Sequence, residues 1–211
     1  MKLLGLLTKN YNWVLCSFII KYILILFYKF KIGKNFYIQG FPSLKLLGKN
    51  KILIGDNVKI LGDVDFRTRE SGKLIISNNV KIEENCRFVV AKEGTTKIGD
   101  GTVIGCNAIW NGGGNITVGK NCIFSARSSL NANEHNFNKQ KSGKELFFNY
   151  GEITIADECF IGINSSIALN TSIGEGAVVG AHSFVNSNLE SFSINVGNPA
   201  KKIKMRQFSE L

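Results

Sequence analysis

The amino-acid sequence predicts an all-β fold of one particular kind, a coil of short strands stacked turn upon turn. Three observations predict it. A large aliphatic residue falls at every sixth position in Ile155, Ile161, Ile167, Ile173, Val179 and Val185. The residue after each is small or turn-forming: Ala156, Gly162, Ala168, Gly174, Gly180 and Asn186. The residue four after each of the first five is also small: Cys159, Ser165, Thr171, Ala177 and Ser183. Neither helical periodicity nor simple strand alternation produces this rhythm. A period of six is a short strand plus a turn, with one bulky and one small side chain pointing inward each time. A β-sandwich with chance spacing does not hold such a period over six repeats.

Taken in chain order, residues 1–40 form an apolar, basic segment expected to be helical. The net charge of the 211-residue chain is +10, and it is uneven. Residues 1–51 hold nine lysines and no acidic residue, whereas the remainder holds 17 basic and 16 acidic residues. The run from Trp13 to Phe30 approaches the length of a membrane span, but Lys21 sits in its middle. On a helix Asn10, Ser17, Lys21 and Tyr28 share a narrow polar stripe. Three arrangements stay open: a helix lying on an anionic membrane surface, a helix capping the open end of the coil, and a span. Nucleic acid is disfavoured as a partner, because these lysines are interleaved with aliphatics rather than with exposed stacking aromatics.

Residues 41–200 are expected to form the coil. The rhythm recurs in shorter pieces: Ile54 and Ile60; Ile76, Ile82 and Phe88; Ile98 and Ile104; Val118, Phe124 and Leu130. A three-residue prefix opens the pieces, as in Ile52-Leu53-Ile54 and Ile153-Thr154-Ile155. Three hexapeptides complete one turn of a triangular prism, with turns about 4.8 Å apart. Residues 52–196 would supply roughly seven turns. Cys86, Cys122 and Cys159 take the small inward slot and read as buried thiols. No cleavage pattern and no zinc-type spacing accompany the five cysteines, so reduced thiols in a cytoplasm are expected. Residues 201–211 read as a basic tail.

One long interruption breaks the coil, at residues 131–150. Long excursions from a compact repeat are usually functional. This one holds His135, one of two histidines in the chain. A neutral imidazole suits a general base that removes a hydroxyl proton.

The repeats, the His135 loop, the stretch FIGINSSIALNTSIGEGAVVGAHSFV and the ending VGNPAKKIK resemble the hexapeptide-repeat acyltransferases. Within them the sequence is most similar to O-acetyltransferases acting on sugars and bacterial surface glycans. The resemblance covers about residues 52–206. It implies a left-handed parallel β-helix of hexapeptide repeats with an N-terminal helical segment and a catalytic loop insertion. It also implies a homotrimer that binds acetyl-coenzyme A in a groove between neighbouring subunits, without a metal. The family's catalytic histidine falls on His135, with a backbone N–H stabilising the oxyanion. Phe160 stands where an aromatic packs on the coenzyme. Ile163, Gly180, Ala181, Asn186 and Ser187 match groove positions, and Lys201 and Lys204 match residues that meet its phosphates. The sugar-contacting aspartate of the galactoside and maltose enzymes becomes Gly113, which argues against those small acceptors. Asn107, Trp110 and Asn111 are the candidates for a larger glycan, with Trp110 also suited to filling a corner of the core. His182 reads as structural.

Three functions compete on this basis. The first is O-acetylation of a cell-surface polysaccharide or its precursor, by an enzyme in peripheral contact with the inner membrane. The second is acetylation of a small molecule such as an amino-sugar nucleotide. The third is a non-transferase. Of that last class, a zinc hydratase needs three histidine ligands, and His135 and His182 are the only histidines present.

Overall fold

The computed structural model describes residues 11–47, 52–136 and 147–207. Helix α1 (Tyr11–Tyr28) is followed by a parallel β-coil with three faces. The first face runs from Lys31–Ile32 to Thr171–Ile173 and has seven strands. The second starts at Tyr37–Gln39 and has nine, ending in an antiparallel pair, Ser193–Val196 with Lys201–Met205. The third starts at Ser43–Leu46, ends at Phe184–Val185, and has seven.

The six-residue rhythm places each bulky residue in an inward column. On the third face Leu44, Phe66 and Phe88 are in register, and Trp110, Leu130, Ile167 and Val185 continue the line. Edge-on aromatic packing joins Phe88 to Trp110 at 5.4 Å and Trp110 to Phe124 at 4.8 Å. The small slots hold Cys86, Cys122 and Cys159, all buried free thiols. The turns between the first and second faces need left-handed backbone. Asn35, Asn57, Asn79 and Asn121 supply it, with φ between 53° and 58°. Their side chains stack, Asn35 Nδ2 donating to Asn57 Oδ1 and Asn57 Nδ2 to Asn79 Oδ1, each at 3.0 Å.

The coil begins at Lys31, ahead of the expected boundary at residue 41. Ile32, Ile38 and Leu44 keep the rhythm over one turn there, so six full turns lie downstream of residue 52 and a seventh precedes it. Residues 201–205 are a strand on the second face rather than a loose tail. Early turns are longer than three hexapeptides. Equivalent residues lie 22 apart in turns two and three, against 18 near the end, and the surplus sits at the corner between the third and first faces.

Of the arrangements left open for the N-terminal segment, α1 adopts the cap. It packs on the Tyr37–Gln39 strand with Ile20 and Leu24 buried. Ser17 Oγ accepts from the Ile38 N–H at 2.9 Å and lies 2.8 Å from the Ile38 carbonyl oxygen. Lys21 Nζ donates to the Gly33 carbonyl. The polar stripe thus satisfies the open edge of the first turn, which would otherwise offer unpaired backbone groups. Among the described residues, no helix is long and apolar enough to cross a membrane.

Candidate functional site

The interruption after the third-face strand Ser129–Asn131 is an antiparallel hairpin, Asn133–His135 with Phe148–Tyr150. Residues 137–146, within the 131–150 insertion, lie outside the described residues. Strand alternation gives the hairpin two chemically different sides. On one, Asn149 Nδ2 donates to Glu134 Oε1 at 3.1 Å, and Asn136 Nδ2 donates to Asn149 Oδ1 at 2.8 Å. On the other, the His135 ring lies 4.5 Å from that of Phe148, and Phe148 lies 6.1 Å from Tyr150. His135 is solvent-exposed.

The aromatic row leads into a groove. A cleft of about 730 Å³ runs along the third–first corner, where the surplus residues of successive turns collect. Its lining includes Glu70, Lys92, Glu93, Asn115, Tyr150 and Glu152. Lys92 Nζ sits 4.2 Å from the centre of the Tyr150 ring, a cation–π contact that steadies that wall. Asn115 Nδ2 donates to Glu152 Oε1 at 2.9 Å. Gly113 and Gly114 form the floor. A Cβ on Gly113 would meet the Tyr150 ring and the Asn133 amide, and one on Gly114 would meet the Gly151 carbonyl. Glycine at 113 is therefore what allows Tyr150 to lie down over the corner. An aromatic face beside carboxylates and amides is suited to sugar rings, which offer apolar C–H faces and hydroxyls together.

Asn111 borders this region. Its Nδ2 donates to Asn131 Oδ1 at 3.0 Å, and its carbonyl accepts from Ala132 N–H at the root of the hairpin. Asn107 lies at the far end of the same face, exposed, in a left-handed turn with φ 60°. Asn85 and Asn164 occupy the equivalent corners with φ 58° and 57°, so the turn alone accounts for an asparagine at 107. Trp110 is a correction. It is fully buried in the aromatic column, and a side chain with no exposed surface cannot touch a substrate. Its position twelve residues after Ile98, two full cycles, already assigns it to the inward column. His182 takes the same corner position as Asn164, with φ 57° and Nε2 3.3 Å from Asn164 Nδ2.

The coenzyme candidates divide among three places. Phe160 points outward from the second face in register with Val178, which pairs in turn with Ile194, itself opposite Lys204. That line runs from an exposed phenylalanine through two half-buried aliphatics to an exposed cation, a lining suited to an apolar arm that ends in a phosphate. Ile163, Gly180 and Ala181 stack at the next corner, where His182 N–H donates to the Ile163 carbonyl at 2.8 Å and Gly162 N–H to that of Val179. Asn186 and Ser187 are exposed beyond the third-face strand Phe184–Val185, and Lys201 is exposed on the terminal strand. His135 is thus on the hairpin that follows the third face and Phe160 on the second face of the same chain.

Sequence reasoning missed Lys92, Phe148, Tyr150 and Glu152. The signal was the excess of turn length over eighteen residues at one corner, repeated in successive turns. Two of the buried thiols are held protonated: burial pushes Cys86 up to about 11. A hydrogen bond to Cys122, together with burial, pushes Cys159 up as well. Among the described residues, no three histidine, cysteine, aspartate or glutamate side chains converge as a metal site.

The family profile described as the hexapeptide repeat of succinyl-transferase matches residues 95–130 and 152–187. A Mycobacterium tuberculosis protein named as an acetyltransferase is 29% identical over 120 residues, 56% of this chain and 40% of its own length. An Escherichia coli protein named as a colanic acid biosynthesis acetyltransferase, WcaF, is 32% identical over 97 residues, 46% of this chain and 51% of its own length. The chain spans about half or less of these curated relatives. A variant of AntD, an N-acyltransferase from Bacillus cereus crystallised with dTDP-4-amino-4,6-dideoxyglucose and coenzyme A, matches with a TM-score of 0.63 at 25% identity, over 84% of each chain. The coil is the left-handed parallel β-helix of hexapeptide repeats that the sequence led us to expect.

Proposed function

Because the chain belongs to the hexapeptide-repeat acyltransferases, we propose that it transfers an acetyl group from acetyl-coenzyme A to a hydroxyl of a cell-surface glycan or its precursor. The observation that carries this is the aromatic row from His135 through Phe148 to Tyr150, opening into a cleft lined for sugar. His135 accepts the acceptor's hydroxyl proton as the oxygen forms its bond to the thioester carbonyl carbon. A backbone N–H holds the oxyanion. The carbon–sulfur bond then breaks, and the imidazolium returns the proton to the leaving thiolate. General-base assistance of this kind is worth about 10²–10⁴-fold.

Phe160, Val178 and Ile194 would hold the pantetheine arm, with Ile163, Gly180 and Ala181 at the adjoining corner. Lys201 and Lys204 would meet the phosphates, and Asn186 and Ser187 border the same end of the coil. One hexapeptide separates neighbouring corners, a distance of at most about 20 Å at strand rise. A coenzyme held by a neighbouring copy would bring its thioester to His135, the arrangement of a homotrimer with shared sites. Peripheral contact with the inner membrane surface fits the same reading, since lipid-linked glycan precursors are assembled there.

The likeness to AntD, crystallised with an amino-sugar nucleotide, favours one second reading: transfer to a nucleotide-linked amino sugar. Incubation with acetyl-coenzyme A and two acceptor sets, membrane glycan extracts and nucleotide-linked amino sugars, separates them. Ester-linked acetyl located on glycan by mass spectrometry supports the first reading. Amide-linked acetyl confined to the nucleotide sugar overturns it.

A further inference from the structure

Helix α1 uses its polar side chains on the coil. Ser17 and Lys21 bind backbone groups of the first turn, and Ile20 and Leu24 are buried beside them. From Val14 to Phe27 the face turned to solvent is apolar. Val14, Leu15, Phe18, Tyr22, Leu26 and Phe27 are each between 46% and 77% exposed. Phe18, Tyr22 and Leu26 follow one another at four-residue spacing and so share one stripe. A contiguous exposed apolar patch of this kind marks an interaction surface.

The described helix and first turn carry charge of one sign, with the nearest carboxylate, Asp56 of the second turn, accepting from the Lys34 N–H at 2.7 Å. Lys29 ends the helix exposed, and the first turn carries exposed Lys31, Lys34 and Lys45. No aspartate or glutamate precedes Asp56. A second copy laid on this face would bring two lysine-only ends together, which Coulomb repulsion opposes. A surface that is apolar beneath and anionic at its boundary satisfies both features at once. We propose that α1 docks the molecule flat on an anionic lipid bilayer. Phe18, Tyr22 and Leu26 enter the acyl boundary, and Lys29, Lys31 and Lys34 meet lipid phosphates. This docking does not depend on the acetyl-transfer reading. α1 caps the first turn and the His135 hairpin leaves the fifth, roughly 19 Å along the coil at the usual strand spacing.

The test is flotation of the full chain with vesicles of phosphatidylcholine mixed with phosphatidylglycerol, and with vesicles of phosphatidylcholine alone. The wild type is expected to float with the mixed vesicles, and less so as salt rises. Lys29→Gln, Lys31→Gln and Lys34→Gln together should weaken binding about a hundredfold, from about fivefold per lysine. Phe18→Glu with Leu26→Glu should abolish flotation. The lysine variant leaves every helix contact intact, so it decides the matter even where the glutamate variant fails to fold. A wild type that stays unbound overturns the proposal, as does a lysine variant that floats like wild type. So does a wild type that forms a larger assembly than the glutamate variant while ignoring vesicles, since a second copy then covers the face.

Discussion

Trp110 has no route to solvent, and its place in the six-residue cycle explains why. It touches Phe88 and Phe124 in the centre of the coil. Removing it leaves a large void, so Trp110→Ala should cost about 3–5 kcal/mol of stability in urea unfolding. Trp110→Phe fills most of that space and should leave the acceptor KM unchanged. A raised KM in a stable Trp110→Phe protein would return the residue to the site. Cys86 makes a pH prediction. Its thiol ionises near 11 when folded, above the ordinary thiol value, because burial disfavours the thiolate. The unfolded chain then releases this proton first, so the thiol's contribution to stability is complete below pH 9 and is lost as pH rises toward 11. Iodoacetamide at mildly alkaline pH should therefore modify half-buried Cys16 and Cys106 and spare Cys86, read by peptide mass spectrometry. Rapid modification of Cys86 in folded protein would contradict the buried slot.

At the level of elements, the strand Lys201–Met205 and the His135 hairpin are the two additions to a plain coil. The strand carries Lys201 and Lys204 beside the line from Phe160 to Ile194. Lys201→Ala with Lys204→Ala should weaken coenzyme A about tenfold and dephospho-coenzyme A much less, as expected for charge-assisted phosphate contacts. Equal losses in calorimetry would mean that these lysines do not meet the 3′-phosphate. The hairpin was legible as an interruption that carries His135, because the rhythm stops after Leu130 and resumes at Ile153. The first turn was not, since Ile32, Ile38 and Leu44 keep the rhythm for a single turn only and stand behind an apolar helix. The cleft was harder still. Glu70, Lys92, Asn115 and Tyr150 are far apart in sequence and meet only because each turn's surplus residues fall at one corner.

For the whole molecule, the coil works as a rigid ruler. Stacked register fixes how far α1, the cleft and the Phe160 line stand from one another. Fold was readable from sequence because every turn repeats one physical requirement, a bulky and a small inward side chain. Acceptor identity was not, because it rests on side chains outside that requirement. The central claim is that His135 removes the acceptor's proton at a site built by this scaffold. The most direct measurement compares wild type and His135→Ala, with acetyl-coenzyme A and the glycan fraction that wild type acetylates, in turnover and in coenzyme binding. Turnover should fall by about 10²–10⁴-fold in the variant while coenzyme affinity stays unchanged. Wild-type turnover in His135→Ala would contradict the account.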